Sequence, residues 1–256
     1  MNTNKFVSVH LQGGLGNQLF QLSFLDYFSK KTGRMPSLTT LYSPRTVHSS
    51  TNYFETIFKN WAKMFITGVG YYRISEEGTD LRNPSSIDNR FENVDVIFDG
   101  YFQDYRVMGN IEDKLIFNTD ILSEYPDIQD KFFIHVRGGD YLEPTKELHN
   151  VDLSRYYQKC LEICKGEQFV VFTNDTAYAH KLLGSNFPII NESEVDTLYL
   201  MSKCKGCICA NSSFSWWGAY LNPNRPIYMP SKWYNHDPNI FVNYYFKGTN
   251  VIEVNA

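Results

Sequence analysis

Three times along this chain a short apolar run, rich in β formers in two of the three, breaks onto small or polar residues and then into helical spacing. The runs are Phe6-Val7-Ser8-Val9-His10-Leu11 before Gln12-Gly13-Gly14-Leu15-Gly16-Asn17-Gln18, Phe132-Phe133-Ile134-His135-Val136 before Arg137-Gly138-Gly139-Asp140-Tyr141, and Cys207-Ile208-Cys209-Ala210 before Asn211-Ser212-Ser213-Phe214. Buried strands that alternate with helices predict a parallel sheet covered by helices. Ligands of such open sheets bind beyond the carboxyl ends of the strands. The pattern that limits the fold therefore also says where the chemistry sits.

The rest of the second half keeps the same rhythm. Asp152 reads as the N-cap of a helix through Tyr156, Tyr157, Cys160, Leu161 and Cys164, stopped by Gly166. Phe169-Val170-Val171-Phe172 predicts a strand closing on Thr173-Asn174-Asp175, followed by a helix from Ala177 to Leu183. Pro188-Ile189-Ile190 is a short strand, Glu194 to Cys204 a helix, and Pro226 to Pro230 a last strand. In the first half, Leu19, Leu22, Phe24 and Tyr27 keep helical spacing to about Lys31, with Gly33 as a stop signal. Val94 to Phe98 predicts a strand ending on Asp99-Gly100-Tyr101-Phe102-Gln103. Asp104 could open a helix, although Gly109 weakens it. The stretch from Met35 to Asn93 is the least legible, with Trp61 to Tyr72 strand-like. Pro126 and its acidic neighbours, between Tyr125 and Asp130, predict a boundary, hence domains 1–127 and 128–256.

Bulk properties exclude some classes. With 256 residues the chain can form one large domain or two of about 100–150 residues each. A net charge of −4 provides no global basic field for nucleic acid. No apolar run approaches the ~20 residues of a membrane span, and the N-terminus lacks the apolar core of a signal peptide. Five cysteines leave one unpaired in a monomer, which suits a reducing compartment. Of the three sequons, at Asn174, Asn191 and Asn211, two fall inside site-forming segments, where a glycan would be obstructive. These points favour a cytoplasmic protein. Cys204-x-x-Cys207-x-Cys209 has no partner pair at zinc-site spacing, so small buried hydrophobes are the favoured reading over a metal site.

The three strand ends carry chemistry of one kind. Arg137 is suited to a charge-assisted fork on a phosphate; the competing reading pairs it with Asp140. His135 either contacts a ligand, orients Arg137 or is simply packed. The Gly138-Gly139 pair could admit a ligand close to the backbone. Asn17 and Gln18, at a helix start after glycines, offer amides to an anion, with capping as the alternative role. Ser212, Ser213 and Phe214 open a helix in the same way. Trp216 and Trp217 are adjacent, so at most one can face a ligand and core is the favoured reading. Together these ends suggest a site between two α/β lobes, with amides and one arginine presented to a diphosphate.

Four segments, in order and spanning nearly the whole chain, resemble the motifs of the α-1,2-fucosyltransferases of glycosyltransferase family 11. They are Gly13-Gly14-Leu15-Gly16-Asn17-Gln18-Leu19-Phe20-Gln21, Gly100-Tyr101-Phe102-Gln103, His135-Val136-Arg137-Gly138-Gly139-Asp140-Tyr141 and Asn211-Ser212-Ser213-Phe214-Ser215-Trp216-Trp217. The family often has a second basic residue after the central arginine, where this chain has Gly138. The resemblance implies a GT-B-like fold: two Rossmann-like lobes with parallel sheets and a cleft between them, the N-terminal lobe on the acceptor side and the C-terminal lobe binding the sugar nucleotide. It implies GDP-fucose as donor, inversion at the anomeric carbon, no cofactor and no required metal. The acceptor would be a galactose-terminated or lipid-linked glycan, the latter compatible with peripheral contact with the inner face of the plasma membrane.

Read with that resemblance, Arg137 is the catalytic group, supported by His135 and Asp140. Donor contacts would come from Gly14, Gly16, Asn17, Gln18, Arg137, Asn174, Asp175, Asn211, Ser212, Ser213 and Phe214, and acceptor contacts from Tyr101 and Gln103. The chain contains no D-x-D, the usual metal-holding motif of metal-dependent transferases, so the arginine would stabilise the leaving group. Glu143, Asp99 and His10 are candidates for the base by location only. A transferase of another linkage or nucleotide sugar, and a catalytically silent nucleotide- or glycan-binding protein, are the competing readings.

Overall fold

Gly14 and Gly33 bracket the first helix of the computed structural model, which describes residues 5–39, 52–143, 147–235 and 243–254. Strand β1 (Phe6–Val9) runs into the glycine loop, and α1 (Leu15–Thr32) begins directly after Gly14, earlier than the spacing from Leu19 predicts. Gly33 closes α1 in the left-handed region (φ 75°), donating its N–H to the Ser29 carbonyl at 2.8 Å. Leu19, Phe20, Leu22, Phe24, Leu25 and Phe28 are all buried, so α1 is covered around most of its circumference.

The stretch that is least legible in sequence contains only short elements, and its residues 40–51 lie outside the described ones. Strands β2 (Met35–Pro36) and β3 (Leu38–Thr39) follow α1, and β3 pairs in parallel with β4 (Phe65–Ile66). The strand-like reading of Trp61 to Tyr72 is corrected: Lys59–Met64 is a 3₁₀ segment that buries Trp61, and β5 spans Tyr71–Ser75. Helix α2 (Pro84–Arg90) is capped by Asn83 and leads to β6 (Asp95–Asp99). The buried Arg34 guanidinium donates to the carbonyls of Phe6, Phe91 and Val94 and to Asp88, tying α2 to the strands. Asp104 caps a single 3₁₀ turn at Tyr105–Val107 rather than a longer helix.

The second set of elements begins with β7 (Lys131–Val136) and α3 (Ser154–Ile163). Leu153, not Asp152, occupies the N-cap of α3; Asp152 instead accepts the Ser154 N–H and hydroxyl from one position further out. Next come β8 (Gln168–Thr173), α4 (Thr176–Leu183), β9 (Ile189–Ile190) and α5 (Glu194–Met201), which ends before the Cys204 expected from sequence. Strand β10 (Gly206–Ile208), α6 (Ser213–Tyr220), β11 (Ile227–Pro230) and β12 (Thr249–Ile252) complete the chain. Cys204, Cys207 and Cys209 are free and fully buried, Cys207 on the internal strand β10 and the other two just outside its ends.

Among the described residues every strand pairing is parallel, in one four-stranded sheet ordered β2-β1-β6-β5, one six-stranded sheet ordered β12-β11-β10-β7-β8-β9 and the β3–β4 pair. The chain divides into two compact units, and the division falls between Ile116 and Phe117, upstream of Tyr125–Asp130. Phe117 stacks on Tyr199 with centroids 5.0 Å apart and so belongs with the second sheet. Asn243 and Tyr244 return to the first unit, where Tyr105 donates its N–H to the Asn243 carbonyl at 3.1 Å. The six-stranded sheet reverses its strand order once, between β7 and β10, whereas the four-stranded sheet joins two like-ordered pairs, β2-β1 and β6-β5, through β1 and β6. The carboxyl ends at such a reversal are where crevices open in sheets of this class.

Candidate active site

In the second unit the reversal point brings together the ends of β7, β8 and β10. His135 and Arg137 are two positions apart on an extended backbone and so share one face. The His135 ring is buried and lies against Phe214 of α6, with centroids 5.7 Å apart. Burial, and then the charge of Arg137, pushes His135 down to about 3, so it is neutral at pH 7. Its Nδ1 is buried and has no hydrogen-bond partner. Tyr157 donates its hydroxyl to the His135 carbonyl at 2.8 Å and steadies the strand end.

Arg137 is held on two sides. Its Nη2 donates to Asp140 Oδ1 at 2.7 Å, and its guanidinium lies 5.2 Å from the Tyr141 ring centroid. Tyr141 in turn stacks on His149 at 5.2 Å. Arg137 Nε is buried and has no partner. The pairing with Asp140 is thus present, and it leaves Nε of the fork without a partner. An open depression of about 260 Å³ adjoins Arg137, lined among others by Tyr141, His149, Tyr157, Tyr178 and Asn211.

The loop after Arg137 is shaped by the end of β8. Asn174 accepts the Gly138 N–H at 2.9 Å and donates to the Gly138 carbonyl at 3.2 Å, while Asp175 accepts the Gly139 N–H at 3.2 Å. A Cβ on Gly138 would sit 2.6 Å from Asp175 Cβ, and one on Gly139 (φ 57°) 2.8 Å from Asn174 Nδ2. The glycines therefore admit Asn174 and Asp175. Asp175 also caps α4 through the Tyr178 N–H at 2.9 Å.

At the end of β10, Ser212 caps α6 by accepting the Phe214 N–H at 3.3 Å. Asn211, expected as a donor contact, has its amide nitrogen engaged by the His149 and Trp233 carbonyls at 3.0 and 2.9 Å. It anchors two loops around Arg137 rather than projecting from them. Trp216 and Trp217 are both fully buried, and Trp216 stacks on Tyr220 at 4.9 Å. The core reading of these rings holds.

The first unit builds its own constellation from β1, β5 and β6. Gly13 (φ 77°) turns the chain so that a Cβ there would meet Asn17 Nδ2 at 2.5 Å. Gln18 is buried and donates to the Gly13 carbonyl at 2.9 Å, so it braces the loop from beneath. Asn17 Oδ1 accepts from Gln103 Nε2 at 2.7 Å, which joins two of the predicted motifs. Buried Gln21 links them again, accepting from the Gln12 N–H and donating to the Gly100 carbonyl, each at 3.0 Å.

Two acidic residues hold the end of β6. Asp99 accepts from His10 Nδ1 at 3.0 Å and pairs with Arg73. Burial opposes its ionisation, but the bonds from His10 and Arg73 outweigh it and hold the carboxyl below its usual range. Asp99 is therefore a weak proton acceptor. Glu76, just past β5, accepts the Tyr101 N–H at 2.7 Å and the Phe102 N–H at 3.1 and 3.0 Å on its two oxygens. Burial raises its carboxyl, and those backbone bonds pull it back. Phe102 is the sole non-glycine at positive φ (52°) among the described residues, a conformation costing about 1–3 kcal/mol. Its fully buried ring, stacked on Phe24 at 4.2 Å, offsets that strain. Sequence reasoning missed Glu76 and Arg73 because neither belongs to a motif.

Among the described residues no group of three His, Cys, Asp or Glu is placed to hold a metal ion, and no helix is long and apolar enough to cross a membrane. The fold is similar to that of fucosyltransferase NodZ from Bradyrhizobium, with a TM-score of 0.51 at 14% identity over 87% of this chain and 94% of that one. It is similar also to a mutant of Arabidopsis thaliana FUT1 in complex with GDP, with a TM-score of 0.50 at 13% identity over 92% of this chain and 73% of that one. In sequence, the chain is 32% identical over 162 residues to the O-antigen biosynthesis glycosyltransferase WbnK of Escherichia coli, a match spanning 52% of this chain and 54% of WbnK, about half of each. It is 29% identical to an alpha-1,2-colitosyltransferase of Escherichia coli, over 90% of this chain and 93% of that protein. Residues 2–244 match glycosyl transferase family 11, and the chain, two parallel α/β units of GT-B-like architecture, belongs to that family.

Proposed function

We propose that the protein transfers L-fucose from GDP-fucose to the 2-hydroxyl of a galactose-terminated glycan, with inversion and without a required metal. The observation that carries this reading is Arg137, held by Asp140 and Tyr141 at a strand-order reversal, with an unpartnered Nε. In the reaction the acceptor oxygen forms a bond to the fucose anomeric carbon while the bond from that carbon to the β-phosphate oxygen breaks. The acceptor hydroxyl passes its proton to solvent water, and GDP departs with added negative charge. A fixed guanidinium fork and the N–H groups of the first turn of α6 would stabilise that charge as it develops.

Neutral His135 supports the site as a hydrogen-bonding group rather than a second cation. Ser212, Ser213 and Phe214 offer the α6 start, and Asn174, Asp175 and Asn211 act by holding loops. In the first unit, Gly14, Gly16 and Asn17 remain proposed donor contacts and Gln18 their brace, while Tyr101 and Gln103 are proposed to meet the acceptor. The absence of a D-x-D sequence supports a leaving group stabilised by protein charge.

The alpha-1,2-colitosyltransferase relative favours a second reading, with the 3-deoxy counterpart of fucose as the sugar. Purified protein would be incubated with GDP-fucose, GDP-colitose, GDP-mannose or UDP-galactose, with and without a panel of galactosides and with and without EDTA. The expected result is EDTA-resistant transfer from GDP-fucose with a new bond at the galactose 2-hydroxyl, assigned by NMR. Preference for GDP-colitose selects the second reading. Thermal stabilisation by GDP with no turnover of any donor would mark a nucleotide-binding protein instead.

A further inference from the structure

The turn after β6 is held by a residue that lies just past the end of another strand, β5. Gly100 leaves no space for a Cβ, which would fall 2.4 Å from both Cβ and Oε2 of Glu76. The next two N–H groups, of Tyr101 and Phe102, converge on the Glu76 carboxylate at 2.7 to 3.1 Å. Consecutive amides that converge in this way form a small anion nest, and here a side chain of the same unit fills it. Glu76 also donates its own N–H to the Asp99 carbonyl at 2.9 Å, which fixes the end of β5 against the end of β6.

The shape so held has a definite outcome. Phe102 is locked at φ 52° with its ring buried, and Asp104 donates its N–H to the Phe102 carbonyl at 2.8 Å. Between and beyond these fixed points, Tyr101 is left 45% exposed and Gln103 reaches Asn17 at 2.7 Å. The two residues on this turn that the functional reading gives to the acceptor are thus aimed by a carboxylate that need not touch any substrate.

We propose that Glu76 is a positioning residue for the acceptor glycan: it fixes the Gly100–Gln103 turn so that Tyr101 and Gln103 meet the acceptor in one orientation. The inference rests on the transferase reading above. A purely structural Glu76 would lose stability and every activity together, whereas a positioning Glu76 separates acceptor use from donor turnover.

Glu76→Gln tests this, because it keeps the size of the side chain but sets an NH₂ group against an N–H donor. Acceptor KM, slow hydrolysis of GDP-fucose in water and melting temperature would be measured on the same preparations. The expected result is an acceptor KM raised about tenfold, the scale of one lost charge-assisted bond, with hydrolysis within about twofold of wild type by the same scale. Gln103→Ala should raise acceptor KM similarly, and the double variant should be little worse than either single one. Glu76→Asp, which retains the charge, should recover part of the affinity.

An unchanged acceptor KM in Glu76→Gln overturns the proposal, as does hydrolysis falling by the same factor as transfer. If Glu76→Gln does not fold, a normal acceptor KM in Gln103→Ala overturns it alone. Wild-type protein that turns over no donor overturns the transferase reading with it, so the two failures are told apart.

Discussion

The side-chain amide of Asn174 bonds both backbone polar groups of Gly138, accepting the N–H at 2.9 Å and donating to the carbonyl at 3.2 Å. The residue that follows Arg137 is thereby clamped to the end of β8. Removing both bonds in Asn174→Ala should cost about 1–3 kcal/mol, from about 0.5–1.5 kcal/mol for each. The loop would then let Arg137 drift, and misplacement by about 1 Å can cost about a hundredfold in rate. Denaturant unfolding and transfer rate, measured together, should show turnover falling by much more than stability. A variant with lowered stability and normal turnover would leave Asn174 with a folding role only.

Arg137→Lys keeps the positive charge and removes the fork. Lysine can neither bond Asp140 and a phosphate in one plane nor stack its head group on Tyr141 as guanidinium does. Turnover should fall by about a hundredfold to a thousandfold, the range seen when one preorganised donor to a developing oxyanion is lost. Circular dichroism and melting temperature should stay close to wild type, because Arg137 lies past the last residue of β7. Near-normal turnover in Arg137→Lys would remove the arginine from the mechanism.

His135 makes stability depend on pH in a predictable direction. Its pKa is depressed in the folded protein to about 3, against an ordinary 6.5. Above pH 6.5 both states are neutral and the contribution to stability is full. As pH falls below that value the unfolded chain takes a proton that the folded chain refuses, so stability is lost at about 1.4 kcal/mol per pH unit down to the folded pKa. His135→Phe removes this term and breaks no side-chain bond at Nδ1, which has no partner. Between pH 7 and 4.5 the variant should gain about 2–3 kcal/mol relative to wild type. Parallel stability curves for the two proteins would show that His135 is charged in the fold.

The strands were legible because parallel strands covered on both faces are continuous apolar runs, as in Phe132–Val136 and Phe169–Phe172. The order of the strands was not, since it depends on pairing between β1 and β6 and between β7 and β10, far apart in sequence. The start of α1 was hidden because Gly14 and Gly16, on either side of Leu15, carry little helical preference and Gly14 offers no side-chain cap. Asn174, Asp175 and Asn211 were correctly placed at strand ends, yet their amides and carboxylate serve neighbouring loops. An amide that faces a ligand and one that faces a backbone carbonyl have the same sequence. Glu76 and the left-handed Phe102 had no signal at all, because a carboxylate without a motif and a phenylalanine at positive φ cannot be told from any other.

Gly13 and Gly33 separate the demands of folding from those of the site. Both have positive φ, 77° and 75°, so alanine at either position carries a backbone cost of about 1–2 kcal/mol. A Cβ at Gly33 meets nothing within 4 Å, and Gly33→Ala should lose that stability and keep full activity. At Gly13 the added carbon falls 2.5 Å from Asn17 Nδ2 and 3.1 Å from Asn17 Cβ. Asn17 must swing away, which breaks its 2.7 Å bond with Gln103 and uncouples the glycine loop from the turn after β6. Gly13→Ala should therefore lose at least as much stability as Gly33→Ala and, in addition, about tenfold or more in kcat/KM, the equivalent of one such bond. Melting curves and transfer assays on the two variants side by side provide the check. Equal kcat/KM in both would mean that the glycine loop serves the fold alone.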